Sequence, residues 1–385
     1  MKSFHFACPG EIYFGWNCVK EHSEVFAQLG KRAYVVCSQF PDGVRNLALE
    51  DVKAVLEKEN ITYQVNEDVQ SDPPVESVVE MKRCAMDFQP DFLIAVGGGS
   101  TMDTAKGVNI LMKYRDREPY DVLFGNGPHV FGVGGPNEGA LPFVSIATTA
   151  GTGADLTGVA VLTRNDIHSK SGTNRRNFAN YVFVDSRYVV GSSSKLNHAT
   201  AIDALCHGIE AYLSRNSQDD FMTNMLSEAA FRLFADIKDR LLTNEMTEED
   251  YDKQALHSML QGIVIINEVT GVPHGLGYPL SYNYHVPHGL ACGVFEGEYL
   301  RTFSDSVRVR RILDLLGFKD IEAFCDYIQA ILTPHIDIQV TKAQIEEWTK
   351  DFCGTQWRIE RHPEPLTENM VRDIYERALA KYIID

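Results

Sequence analysis

PDFLIAVGGGSTMDTAKG, residues 90–107, carries an apolar run straight into three glycines and then into a helical pattern. Phe92 to Val96 is short and apolar, the pattern of a strand buried on both faces in a parallel sheet. Gly97, Gly98 and Gly99 let backbone N–H groups approach an anion closely, and the following helix start adds its positive dipole end. A diphosphate is the natural guest. Ser100 is placed to cap that helix, and Asp103 falls in its first turn. A glycine-rich turn without a ligand would share these features. The stretch is neither a P-loop nor GxGxxG, and GxGxxG occurs nowhere in the chain.

Outward from this point, strands alternate with helices. KRAYVVC at 31–37 and ITYQV at 61–65 read as strands, with helices predicted at about 44–59 and from 72–75 to about 88. That alternation argues for βαβ units and a parallel sheet. GNGPHVFGVGGPNEGALP (125–142) reads as a loop, and strands are expected at 141–147, 158–163 and 181–186. After about residue 192 every segment shows helical periodicity and no strand stands out. The expected division is an α/β nucleotide-binding domain at 1–189 and an all-α domain at 190–385.

Composition narrows the function. Of 385 residues, 44% are hydrophobic and 23% charged, as in an ordinary globular protein. The formal net charge of −17 disfavours a nucleic-acid or anionic-membrane partner. No apolar run is long enough to span a membrane, and the first residues lack a secretory apolar core. The eight cysteines are scattered without CxxC pairs, as reduced thiols would be, so a cytoplasmic location is expected.

The chemistry centres on 203–288. Asp203 and His207 lie four apart in a helical pattern, which puts them on one face. His274 and His288 follow in a segment broken by glycine and proline. A single histidine is more often a satisfied core residue, but four ligand-type side chains in two segments point to one metal ion. Three nitrogens and an oxygen suit Fe(II) or Zn(II). Four protein ligands would close a tetrahedral zinc site, so Fe(II) is the first choice and Zn(II) the second. A second loop, ATTAGTGAD (147–155), offers Thr148 and Thr149 to a ribose, phosphate or amide. A nucleotide site plus a metal suggests metal-assisted hydride transfer to or from a nicotinamide.

These motifs together resemble the iron-containing (group III) alcohol dehydrogenases. The likeness runs end to end: PGEIYFG resembles P-T-x-I-x-F-G, and PDFLIAVGGGSTMDTAK resembles P-D-x-I-I-A-x-G-G-G-S-x-x-D-x-A-K. ATTAGTGAD is similar to P-T-T-A-G-T-G-S-E, DALCHGIEAY to D-A-x-x-H-x-I-E-A-Y, and PHGLGYPLSYNYHVPHGLA to the two-histidine segment. HPEPLTENMVRDIYERAL resembles the family's C-terminal helix motif N-P-R-x-x-T-x-E-D-I. The resemblance implies a Rossmann-like N-terminal domain and a helical C-terminal one. It implies metal ligation by Asp203, His207, His274 and His288, and cofactor binding by Gly97, Gly98, Gly99, Ser100, Asp103, Thr148 and Thr149, with Lys170 near the nicotinamide ribose. A small alcohol or aldehyde substrate and a homodimer or higher homo-oligomer are implied as well.

Two departures bear on mechanism. Where many members carry a proton-relay histidine, four residues after the third ligand, this chain has Tyr278. A phenol, ordinarily ionising near ~10, is a weaker base than imidazole, and His285 is the nearby substitute. Where NAD-preferring members carry an acidic residue after the first nucleotide-fold strand, this chain has Ser38, although Asp42 could reach a ribose. Loss of that negative charge points to NADP(H) as preferred and NAD(H) as accepted. Cys206 and Cys292 read as simple buried thiols. The competing reading is a dehydroquinate synthase-like or glycerol dehydrogenase-like enzyme, against which the absence of phosphate-binding basic clusters counts.

Overall fold

The computed structural model describes residues 4–40, 45–125, 137–304 and 306–385, and the chain divides into two compact units. One comprises Ala7–Gly191 and the other Ser192–Asp385 with the N-terminal segment Met1–Phe6, of which residues 4–6 are described. Asp42 and His129 lie outside the described residues.

The first unit begins β1 (Glu11–Phe14), α1 (Cys18–Glu21), α2 (Glu24–Leu29), β2 (Arg32–Cys37), α3 (Leu47–Lys58), β3 (Thr62–Asn66) and α4 (Val75–Phe88). It continues β4 (Phe92–Gly97), α5 (Gly99–Lys113), α6 (Pro119–Phe124), β5 (Phe143–Ala147), β6 (Val161–Arg164), β7 (Ser169–Gly172) and β8 (Tyr181–Val184). Six strands form one parallel sheet in the order β1-β8-β5-β4-β2-β3, and β6 pairs with β7 as a separate antiparallel hairpin. The central strands β2, β4 and β5 are almost wholly buried, which is why their sequences are unbroken apolar runs rather than alternating ones. In open sheets of this kind ligands collect at the carboxyl ends of the strands. The GGG and TTAGTG loops follow the adjacent strands β4 and β5 there.

The second unit is helical: α7 (Ser194–Leu213), α8 (Phe221–Thr243), α9 (Glu248–Asn267), α10 (Val272–Tyr284), α11 (His288–Leu300) and α12 (Ser306–Leu316) come first. They are followed by α13 (Ile321–Leu332), α14 (Lys342–Cys353), α15 (Gln356–Ile359) and α16 (Glu368–Ala378). A single apolar core joins α7, α10 and α11 to the later helices through Ile202, Leu205, Leu276, Leu290, Phe295, Ile331 and Tyr375. α7 is buried along nearly its whole length, so it sits at the centre of this unit. Among the described residues no helix is long and apolar enough to cross a membrane.

Three expectations need correction. Two strands were not anticipated: β1, a short edge strand, and β7, whose sequence SKSG is polar. Ser100 does not cap α5; the N-cap is Gly98 and no side chain takes that role. Asp103 therefore lies beyond the first turn, which carries no acidic residue.

Candidate metal centre and dinucleotide loops

In the α/β unit the sequence-predicted cofactor residues gather at the ends of β2, β4 and β5. A Cβ on Gly97 would lie 2.2 Å from Thr101 Oγ1 and 2.6 Å from Ser38 Oγ, so only glycine fits where those two hydroxyls bond one another. Gly98 and Gly99 back onto Thr149 and Thr152 of the second loop. Thr148 is buried and donates its N–H to the Gly97 carbonyl at 3.0 Å. With no side-chain cap, the first N–H groups of α5 are left to serve an anion. Ser100 Oγ accepts from the N–H of Asp72 at 3.1 Å, and the Asp72 carboxylate pairs with Lys170 at 2.7 Å. Lys170 is thus tied to the glycine loop through one intermediary. Asp103 faces inward to the fully buried Lys106 at 3.5 Å. Burial pushes the Asp103 carboxyl up to about 6 in spite of that lysine.

The helical unit gathers the three histidines around one oxygen of Asp203. Asp203 and His207 share a face of α7, His274 lies in the first turn of α10, and His288 opens α11 directly after Pro287. Asp203 Oδ1 lies 3.5 Å from His274 Nε2, 3.8 Å from His207 Nε2 and 3.9 Å from His288 Nε2. The His207 and His274 rings stack with centroids 4.8 Å apart, and His274 meets His288 edge-on at 5.2 Å. Glycine makes this convergence possible: a Cβ on Gly289 would lie 2.0 Å from the Ala199 carbonyl and 2.6 Å from Asp203 Cβ. α11 therefore crosses α7 at backbone contact, right beside two ligands.

The donor set fits a divalent cation. Asp203 Oδ1 and His274 Nε2 are buried, point to the same place and lack any hydrogen-bond partner among the described residues. Orphaned buried polar atoms are costly unless something else satisfies them. Burial pushes the Asp203 carboxyl upward, but the surrounding imidazoles outweigh it and hold the group well below the usual carboxylate range. The site is thus built around a permanent negative charge.

Sequence reading missed Glu210. It lies on α7 seven residues after Asp203, fully buried, and its carboxylate accepts from His274 Nδ1 and from the Gly271 N–H. That bond fixes the tautomer that turns Nε2 of His274, as a lone pair, toward Asp203. Glu296, also fully buried, lies beside Glu210 and Cys206. Burial and the nearby Glu210 charge push its carboxyl well up. The Glu210→Gln variant is expected to bind divalent metal about 10–100-fold more weakly, as measured by competition with a chelating dye. Unchanged affinity would remove Glu210 from this role.

Tyr278 and His285 part company. Tyr278, one turn past His274, stacks at an angle over His288 with centroids 5.9 Å apart, and its Oη accepts from Arg358 at 3.2 Å. His285 is exposed at the end of α10 in a left-handed conformation.

A nucleotide-type α/β unit and a helical unit with a histidine-rich cation site define a class, metal-dependent dehydrogenases, and comparison with known proteins specifies it. Residues 9–186 match the profile of "Iron-containing alcohol dehydrogenase", and residues 197–379 that of "Fe-containing alcohol dehydrogenase family, C-terminal". The chain belongs to the iron-containing alcohol dehydrogenase family, and it is an oxidoreductase acting between alcohols and aldehydes. It is 28% identical to long-chain-alcohol dehydrogenase 1 of Geobacillus thermodenitrificans, covering 98% of this chain and 97% of that one. It is 26% identical over 305 residues to the NADPH-dependent butanol dehydrogenase of Clostridium saccharobutylicum, covering 75% and 71%. The crystal structure of an iron-containing alcohol dehydrogenase from Thermotoga maritima superposes with a TM-score of 0.85 at 27% identity, covering 98% and 100%.

Proposed function

We propose that this chain interconverts small alcohols and aldehydes with NADP(H) as preferred and NAD(H) as accepted cofactor. In this reading Asp203, His207, His274 and His288 hold Fe(II), or Zn(II) in second place. The observation that carries it is the convergence of three imidazole Nε2 atoms within 3.9 Å of one buried carboxylate oxygen. When bound, the cation lowers the cost of negative charge on the alcohol oxygen, and the nicotinamide exchanges the hydride.

The protein's own groups do the rest. Asp203 and the rings orient the oxygen end of the substrate, and Glu210 keeps His274 in its ligating tautomer. Tyr278, whose ring lies over His288 and whose hydroxyl is held by Arg358, passes the proton in this reading. Gly97 to Ser100, Thr148 and Thr149 receive the dinucleotide, with Asp103 and Lys170 supporting that loop. The NADP(H) preference rests on Ser38, whose uncharged hydroxyl stands at the end of β2. The Clostridium saccharobutylicum relative, named for NADPH and butanol, lends it support. The unpaired cysteines accord with a cytoplasmic location, and the family resemblance with a homo-oligomer.

The test is net oxidation of NADPH by a series of short aldehydes on metal-reconstituted protein, followed by near-ultraviolet absorbance. Turnover is expected, falling about 10²-fold or more in Tyr278→Phe and unchanged in His285→Ala. No turnover with any aldehyde or alcohol would overturn the reading. A kcat/KM at least about tenfold higher with NADH, a difference of about 1.4 kcal/mol, would overturn the cofactor preference alone.

A further inference from the structure

Cys292 lies on α11 one turn beyond His288, and its Sγ is 3.8 Å from Nδ1 and 3.9 Å from Nε2 of that ring. One donor atom each from Asp203, His274, His288 and Cys292 lies within 4.8 Å of all the others. Two of these atoms, Asp203 Oδ1 and His274 Nε2, are the buried and unpartnered ones. An ion held at about 2.0–2.2 Å from nitrogen and oxygen and about 2.3 Å from sulfur keeps any two of them within about 4.5 Å, close to the spread seen here. The thiol therefore lies against the shell that the histidines and the carboxylate define, and a small shift of its sulfur toward Nε2 of His288 brings it in.

We propose that Cys292 is a further donor to the metal, a proposal that rests on the metal-site reading above. On binding, the S–H proton passes to solvent and the thiolate sulfur takes its place against the cation. His207, 3.8 Å from the same Asp203 oxygen, lies outside this group of four; with it, the chain would offer five donors. A six-coordinate ion would keep one position for substrate. Sulfur is also the softest donor of the set, so it favours Zn(II) and Co(II) over Fe(II) relative to an all-nitrogen-and-oxygen site. Cys206, buried on α7 three residues from Asp203, is not in the group and serves as the control.

Three measurements test this. X-ray absorption of the zinc-loaded, unaltered protein is expected to show one sulfur scatterer at about 2.3 Å beside the lighter ligands. The Co(II)-loaded protein is expected to show a near-ultraviolet thiolate-to-cobalt charge-transfer band that Cys292→Ser abolishes and Cys206→Ser keeps. The preference for Zn(II) over Fe(II) in competition should fall at least about tenfold in Cys292→Ser. Metal uptake with only nitrogen and oxygen neighbours, or a band indifferent to Cys292→Ser, overturns the proposal and leaves the metal site standing. No uptake of zinc or cobalt overturns both. Should Cys292→Ser fail to fold, the absorption spectrum of the unaltered protein decides.

Discussion

Asp203→Asn is expected to fold but to lose its metal, with kcat for alcohol oxidation down by about 10³-fold or more. The change removes one charge and almost no volume, so the buried packing around α7 persists. What disappears is the carboxylate around which three imidazoles are arranged within 3.9 Å. The charge stabilisation that the cation brings amounts to several kcal/mol, and each 1.36 kcal/mol is about tenfold in rate. Metal content by atomic absorption, measured alongside kcat, checks both halves. A variant with a full metal complement and full turnover would sink the site. Acid should act on the same grip through the rings. They must be neutral to ligate. Burial lowers the His274 value, but the Cys292 and Glu210 charges outweigh it and hold it well above the ordinary imidazole range. Affinity therefore falls as pH drops from above that range. Asp203 itself stays ionised throughout that range, since its folded-state value is lowered; the stability it contributes is lost only below the ordinary carboxylate range.

Ser38→Asp is expected to reverse cofactor choice. Ser38 follows β2, and its hydroxyl meets Thr101 directly over Gly97, in the region read as the phosphate-binding edge. A carboxylate there would face the 2′-phosphate of NADP(H), and like charges brought together cost several kcal/mol. The kcat/KM for NADPH should fall by roughly 10²-fold or more while that for NADH changes little or rises. If NADPH and NADH respond alike, Ser38 does not face the ribose and the preference has another origin.

Much of this was legible because the chain's signals are local. Val35, Ile94 and Ile146 sit in apolar runs that only a doubly covered parallel strand explains, and those strands appear. The Asp203–His207 pair was readable from helical spacing, and the histidines at 274 and 288 from their glycine- and proline-broken setting. Other features depend on tertiary partners that no local pattern encodes. SKSG forms a strand only because VLTR pairs with it. Ser100 would be a good N-cap in isolation, yet the helix starts earlier and the hydroxyl turns to Asp72. Glu210 carried a faint signal, seven residues from Asp203 and so on the same helical face, but the partner that gives it meaning comes from α10. Cys292 had a similar signal, four residues after His288, which a scattered-cysteine reading passes over.

The contact of Gly289 with the α7 backbone has a mechanical consequence. With no space there for even a methyl group, α7 and α11 are keyed together and cannot slide past one another. Asp203 and His288 are thus set against one another by the two backbones themselves.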